Sequence, residues 1–102
     1  MNDRELLELA AKAAGIEHFG FGLMLNDAPY LKTSTSIGMF APLTDDGDAL
    51  RLAVNLRMDL NINDGECDAF TADSFYSGRG EDTLETTRRA IVRAAAQIGQ
   101  SM

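Results

Sequence analysis

The segment Asp59-Leu-Asn-Ile-Asn-Asp-Gly-Glu-Cys-Asp-Ala-Phe70 decides the fold, because it specifies a turn and both faces of the strands beside it. Asp64-Gly65 is a strong two-residue hairpin signal, since a type I′ turn needs positive φ at both central positions. Folding back around it sets Asn63 opposite Glu66, Ile62 opposite Cys67, Asn61 opposite Asp68 and Leu60 opposite Ala69. Directly opposed residues share a face. Leu60, Ile62, Cys67 and Ala69 therefore line an apolar side. Asn61, Asn63, Glu66 and Asp68 line an acidic, amide-rich side, with Asp59 beside them at the open end.

Helical patterns frame this hairpin. The first helix is predicted over 3–14, with Asn2 as cap, Glu5 completing a capping box and Gly15 as the left-handed stop. Its apolar stripe is Leu6, Leu9, Ala10, Ala13 and Ala14, widened by Leu7. A second helix opens at Thr44, with Asp45, Asp46 and Asp48 complementing the positive end of its dipole. Ala49, Leu50, Leu52, Ala53, Val54 and Leu56 make it apolar on more than one face, which predicts a central position. The third helix is predicted over 82–98, with Asp82 and Glu85 at its start and Gly99 ending it. Leu84, Ile91, Ala94, Ala95 and Ile98 recur there at helical spacing.

Strands fill the intervals. Residues 19–25 and 30–37 read as a hairpin around Asn26-Asp27-Ala28-Pro29, with Leu31, Thr33, Thr35 and Ile37 facing inward and Lys32, Ser34 and Ser36 facing water. Phe75-Tyr76 adds a short fifth strand before Ser77-Gly78-Arg79-Gly80. The expected order is α-β-β-α-β-β-(β)-α. That order describes an α+β fold, a small antiparallel sheet of four to five strands with three helices on one face. At 102 residues, without repeats or linkers, the chain reads as a single globular domain.

Composition narrows the function classes. A net charge of −7 argues against direct binding to nucleic acid or to an anionic membrane; it allows a basic protein partner, while keeping a small protein soluble is the more common role of such acidity. No apolar run approaches the roughly 20 residues that span a bilayer, and Met1-Asn2-Asp3-Arg4-Glu5 lacks the plan of a signal peptide. The lone cysteine, Cys67, forms no intrachain disulfide and falls on the hairpin's apolar face. A reducing cytoplasmic setting is expected.

Three blocks carry a family resemblance: residues 2–16 (NDRELLELAAKAAGI), 42–54 (PLTDDGDALRLAV) and 87–99 (TRRAIVRAAAQIG). They cover about 40% of the chain, and 42–50 is the most specific part. They resemble a family of small uncharacterised proteins encoded by tailed phages and prophages of proteobacteria. Members tend to carry a tryptophan-rich approach to the second block. This chain has no Trp, reads Met39-Phe40-Ala41 there and has a longer first hairpin. The resemblance implies an accessory phage gene expressed inside a bacterial host cell and implies no activity.

No catalytic or metal-binding set is expected. An EF-hand starting at Asp59 would need Gly at the sixth position and Glu at the twelfth, where Asp64 and Phe70 stand. His18, the sole histidine, has no nucleophile or second ligand at motif spacing. Met39-Phe40, with Phe19 and Phe21, reads as core. The leading expectation is a non-enzymatic inhibitor or interaction protein without cofactor. Its contact residues would be Asp59, Asn61, Asn63, Asp64, Glu66, Asp68 and Phe70. Carboxylates along a strand pair imitate a phosphate row and could occupy a basic groove of a host or phage protein. Phe70, on the polar side, would anchor the contact. An alternative is a nucleotide-sequestering protein, expected in that reading to be oligomeric, that holds an anion among Arg79, Arg88, Arg89 and Arg93. Against that, Glu85 is spaced to pair with Arg89. A structural or assembly role in the phage particle is the third reading.

Overall fold

Among the described residues the chain forms three helices and two three-stranded antiparallel sheets, each sheet followed in sequence by a helix. The computed structural model describes residues 2–15, 18–21, 29–32 and 37–102, and for 18–21, 29–32 and 37–39 it describes the backbone. Helix α1 (Asp3–Ala13) is followed by β1 (His18–Phe21), β2 (Pro29–Lys32) and β3 (Ile37–Met39). Helix α2 (Asp46–Asn55) leads to β4 (Asp59–Asn63), β5 (Glu66–Phe70) and β6 (Phe75–Arg79), and α3 (Thr83–Ser101) ends the chain.

The α+β class and the alternation of elements match the sequence reading, but the sheet count does not. Among the described residues six strands form two sheets, in the orders β1-β2-β3 and β4-β5-β6, instead of one sheet of four to five. The first sheet carries a third strand that was not expected, and the short strand expected at Phe75-Tyr76 runs further than its two residues. β3 overlaps the expected return strand only at Ile37. β6 runs through Ser77-Gly78-Arg79, which had been read as loop. Within the first sheet, Phe19 pairs with Leu31 and Leu31 with Gly38. The expected turn residues 26–28 and the expected strand positions 22–25 and 33–36 lie outside the described residues, as do the side chains of His18, Phe19, Phe21, Leu31, Lys32 and Ile37.

The three helices do not share the sheet. Only α3 lies directly on β5 and β6, and α1 and α2 pack against α3. The centre of the fold is therefore α3 and not α2. Its alanines explain why: Ala90 and Ala94 meet Cys67 and Ala69 of the sheet, while Ile91, Val92, Ala95 and Ala96 enter a core with Leu6, Leu7, Ala10, Ala11, Ala49, Leu52 and Ala53. Short side chains let a helix be approached from three sides at once. Phe40 is buried in the same core, as expected for it. The second apolar face of α2 is instead solvent-exposed, with Leu50 at 59% and Val54 at 68%.

Helix ends follow their caps closely. The Asn2 side chain accepts from the backbone N–H of Glu5 at 2.9 Å, and Asp82 accepts from Leu84 and Glu85 at 3.0 and 3.3 Å. The cap of α2 is Asp45, one residue beyond the predicted Thr44, and it accepts from Asp48 at 2.8 Å. The Thr44 hydroxyl turns back to the Ala41 carbonyl. Gly15 takes positive φ (76°) after α1 as predicted. Gly99 does not end α3, which continues to Ser101. It is buried at the crossing with α1, where the absence of a side chain admits the backbone of Leu9.

Candidate functional site

The hairpin register is the one read from the sequence: Asp59↔Phe70, Leu60↔Ala69, Asn61↔Asp68, Ile62↔Cys67 and Asn63↔Glu66. The turn differs. Gly65 takes positive φ (72°) and Asp64 does not, so the turn is not type I′. The tip is held from α3, because the Thr83 hydroxyl accepts from the Gly65 N–H at 2.9 Å, and the Gly65 carbonyl accepts from Gly80 at 2.9 Å.

One side of the sheet faces α3. Cys67 and Ala69 are fully buried there, and Leu60 and Tyr76 pack against the same cluster. Burial pushes the Cys67 thiol above its ordinary range, against a smaller opposing pull from a hydrogen bond with Thr87. Such a thiol is a small hydrophobe and a poor nucleophile. Ile62 shares this side but lies at its margin and remains 52% exposed.

Among the described residues the other side carries no helix, and β6 widens it. Glu66 pairs with Arg79, Asp68 with Ser77 and Phe70 with Phe75. Read across the three strands, the face has three rows: Asn63-Glu66-Arg79, Asn61-Asp68-Ser77 and Asp59-Phe70-Phe75. The structure thus brings Asp59, Asn61, Asn63, Glu66, Asp68 and Phe70 onto one surface, with Asp64 at the turn. It also adds two residues the sequence reading had not placed there. Arg79 approaches Glu66 at 3.5 Å, so the plate is part-neutralised at its turn end. Phe75 packs on Phe70 with ring centroids 6.3 Å apart, and both rings are exposed. The alternation of Phe75, Ser77 and Arg79 against Tyr76 and Gly78 was the signal for both. It was obscured by the Ser-Gly-Arg-Gly composition, which reads as loop.

The four arginines of the alternative site do not converge. Arg88 donates to the Leu43 carbonyl at 3.0 Å and to Asp46 at 2.6 Å, which ties α3 to the start of α2. Arg89 donates to both carboxylate oxygens of Asp3 at 3.0 and 3.4 Å, taking the place expected for Glu85. That hydrogen bond, with the nearby charge, holds the Asp3 carboxyl below its usual range despite some burial. Arg93 lies 5.3 Å from the centroid of the Tyr76 ring, a cation–π distance. Arg79 and Arg89 do line one open cleft of about 450 Å³, but Glu81, Asp82 and Glu85 line it too. An anion there would meet more negative charge than positive, three carboxylates against two arginines. Among the described residues, no three His, Cys, Asp or Glu side chains gather to hold a metal ion, and no helix is long and apolar enough to cross a membrane.

Compared with protein families, with curated proteins and with solved structures, the chain matches none of them.

Proposed function

We propose that this protein acts by binding and not by catalysis, presenting the outer face of β4-β5-β6 to a basic protein partner. The observation that carries the reading is a sheet face, uncovered among the described residues, on which exposed Asp59, Asn61 and Asn63 and half-buried Asp68 adjoin an exposed aromatic pair. Asp59, Asn61, Asn63 and Asp68 supply acceptors and negative potential, and Phe70 with Phe75 supplies an apolar anchor at one end. Aromatic anchors surrounded by polar groups are the usual energetic centre of protein interfaces. A surface of this sign speeds encounter with a cationic groove, including one that otherwise holds nucleic acid. In the setting implied by the family resemblance, the protein is an intracellular phage accessory factor. Its partner is a basic host or phage protein that processes nucleic acid.

Because Glu66 is engaged by Arg79, Asp68 at the centre of the face carries the charge most directly. Asp68→Lys and Phe70→Ala are expected each to abolish co-purification of the partner from the bacterial host while the domain keeps its melting temperature. Retention of the same partner by both variants would refute this assignment.

A further inference from the structure

The two edges of the second sheet are treated differently. At the β6 edge, the Gln97 side chain of α3 satisfies both backbone groups of Phe75, accepting from its N–H at 3.0 Å and donating to its carbonyl at 2.7 Å. The β4 edge has no such cover among the described residues. β4 pairs only with β5, and Asp59, Asn61, Ile62 and Asn63 are all exposed. It also lacks the devices that keep an edge strand solitary: no Lys, no Pro, and no charged side chain on the inner side. Beside it runs an apolar groove of about 190 Å³ between α2, β4 and α3. Its exposed walls are Leu50, Ile62 (52% exposed) and Leu84 (61% exposed), with Leu60 and Ile91 deeper in. Val54, one turn on from Leu50, extends the exposed apolar stripe of α2.

We propose that β4 is the contact strand of a two-fold symmetric dimer of this chain, paired antiparallel through Asp59–Asn63 with Asn61 on the axis. The sequence of the strand is self-complementary in that register. Leu60 meets Ile62 of the second copy on the inner side, Asn61 meets its own counterpart, and Asp59 meets Asn63. No like charges are opposed, although each chain carries −7. Moving the axis to Leu60 would set Ile62 and Asn63 against Met58 and Arg57, outside the strand, and moving it to Ile62 would run into the turn. A one-residue slip would turn inner side chains against outer ones. Only the centred register uses all five residues.

The axis stands perpendicular to the sheet, so both copies keep their helices on one side. The two apolar grooves then adjoin across the axis, and the exposed Leu50, Ile62 and Leu84 have somewhere to go. The sheet becomes six strands with a continuous outer face twice as wide. The inference rests on the edge and the groove, not on the partner contact proposed for that face, so either can fail alone.

Light scattering and sedimentation of the full 102-residue chain test it. The expected mass is twice 11.0 kDa, with association strengthening as salt is raised, because screening relieves repulsion between two acidic copies. Ile62→Lys is expected to yield a monomer that still melts cooperatively. Asn61→Cys is expected to cross-link to its own counterpart under mild oxidation far faster than Asn63→Cys, which faces Asp59 and not itself. Cys67 is buried and does not compete. A monomer up to millimolar concentration, a dimer unaffected by Ile62→Lys, or equal cross-linking at 61 and 63 would overturn the proposal. So would a β4 edge that is occupied only when a different protein is added.

Discussion

Two helical glycines in this protein should respond in opposite directions to the same substitution. Gly99 sits inside α3 where α1 crosses, and a Cβ built on it falls onto the backbone carbonyl of Leu9. That carbonyl belongs to the α1 ladder, so it cannot swing aside as a side chain would. Alanine gains about 0.8–1.0 kcal/mol in helix propensity over glycine, but forcing volume into a packed crossing typically costs about 1–3 kcal/mol. With backbone as the obstacle the upper part of that range applies, and Gly99→Ala should lose about 1–2 kcal/mol net. Gly47 lies in the first turn of α2, and there a Cβ would touch the ends of the Arg51 and Asp45 side chains at 3.3 Å. The exposed Arg51 end can yield, and the Asp45 oxygen, which caps the helix, need give by only a few tenths of an ångström. Gly47→Ala should therefore stabilise by about 0.5 kcal/mol. Near 100 residues, 1 kcal/mol moves the melting temperature by about 4–8 °C, so calorimetry resolves the two signs. A Gly99→Ala variant melting at or above the parent would refute the close crossing and the central position of α3.

Three further outcomes follow from single residues. Asp3→Asn should cost a few tenths to about 1 kcal/mol near neutral pH, because its pair with Arg89 is half-exposed. The folded-state carboxyl titrates below the ordinary 3.8, so the pair contributes above that value. Urea melts of parent and variant should converge as pH falls below about 4. Arg57, after α2, holds φ at 55°, a conformation that costs a residue with a Cβ. Arg57→Gly should raise stability by about 0.5–1 kcal/mol in denaturant titration, and a loss would contradict that backbone. The Cys67 thiol should resist a disulfide reagent in the native protein and react fully in denaturant, and fast native labelling would mean the sheet does not close on α3.

The hairpin was legible because register, turn position and face follow from one short segment with a period of two, although the turn type did not. Asn61 against Asp68 and Ile62 against Cys67 required nothing beyond counting from the turn. The caps at Asn2 and Asp82 were legible for the same reason, since their partners lie two or three residues away. What the sequence concealed depends on distant partners. Gly99 looks like a helix stop until α1 is placed against it, and Leu50 and Val54 look like core until α3 is found to fill the centre. Glu85 has the right spacing for Arg89, yet Asp3 brings its carboxylate from the other end of the chain. The third strand of the second sheet was expected only at Phe75-Tyr76, because the glycine and serine that follow hide a segment that tertiary pairing holds extended. What stayed hidden was the pairing that sets Phe75 beside Phe70 and Arg79 beside Glu66, which gives the acidic face an aromatic end and an ion-paired end.

Quantitative co-purification from the bacterial host, comparing the parent with Asp68→Lys at matched folding stability, addresses the binding face most directly. The account predicts a basic protein enriched by the parent and absent with the variant. A protein set unchanged by placing a lysine at the centre of that face would contradict it.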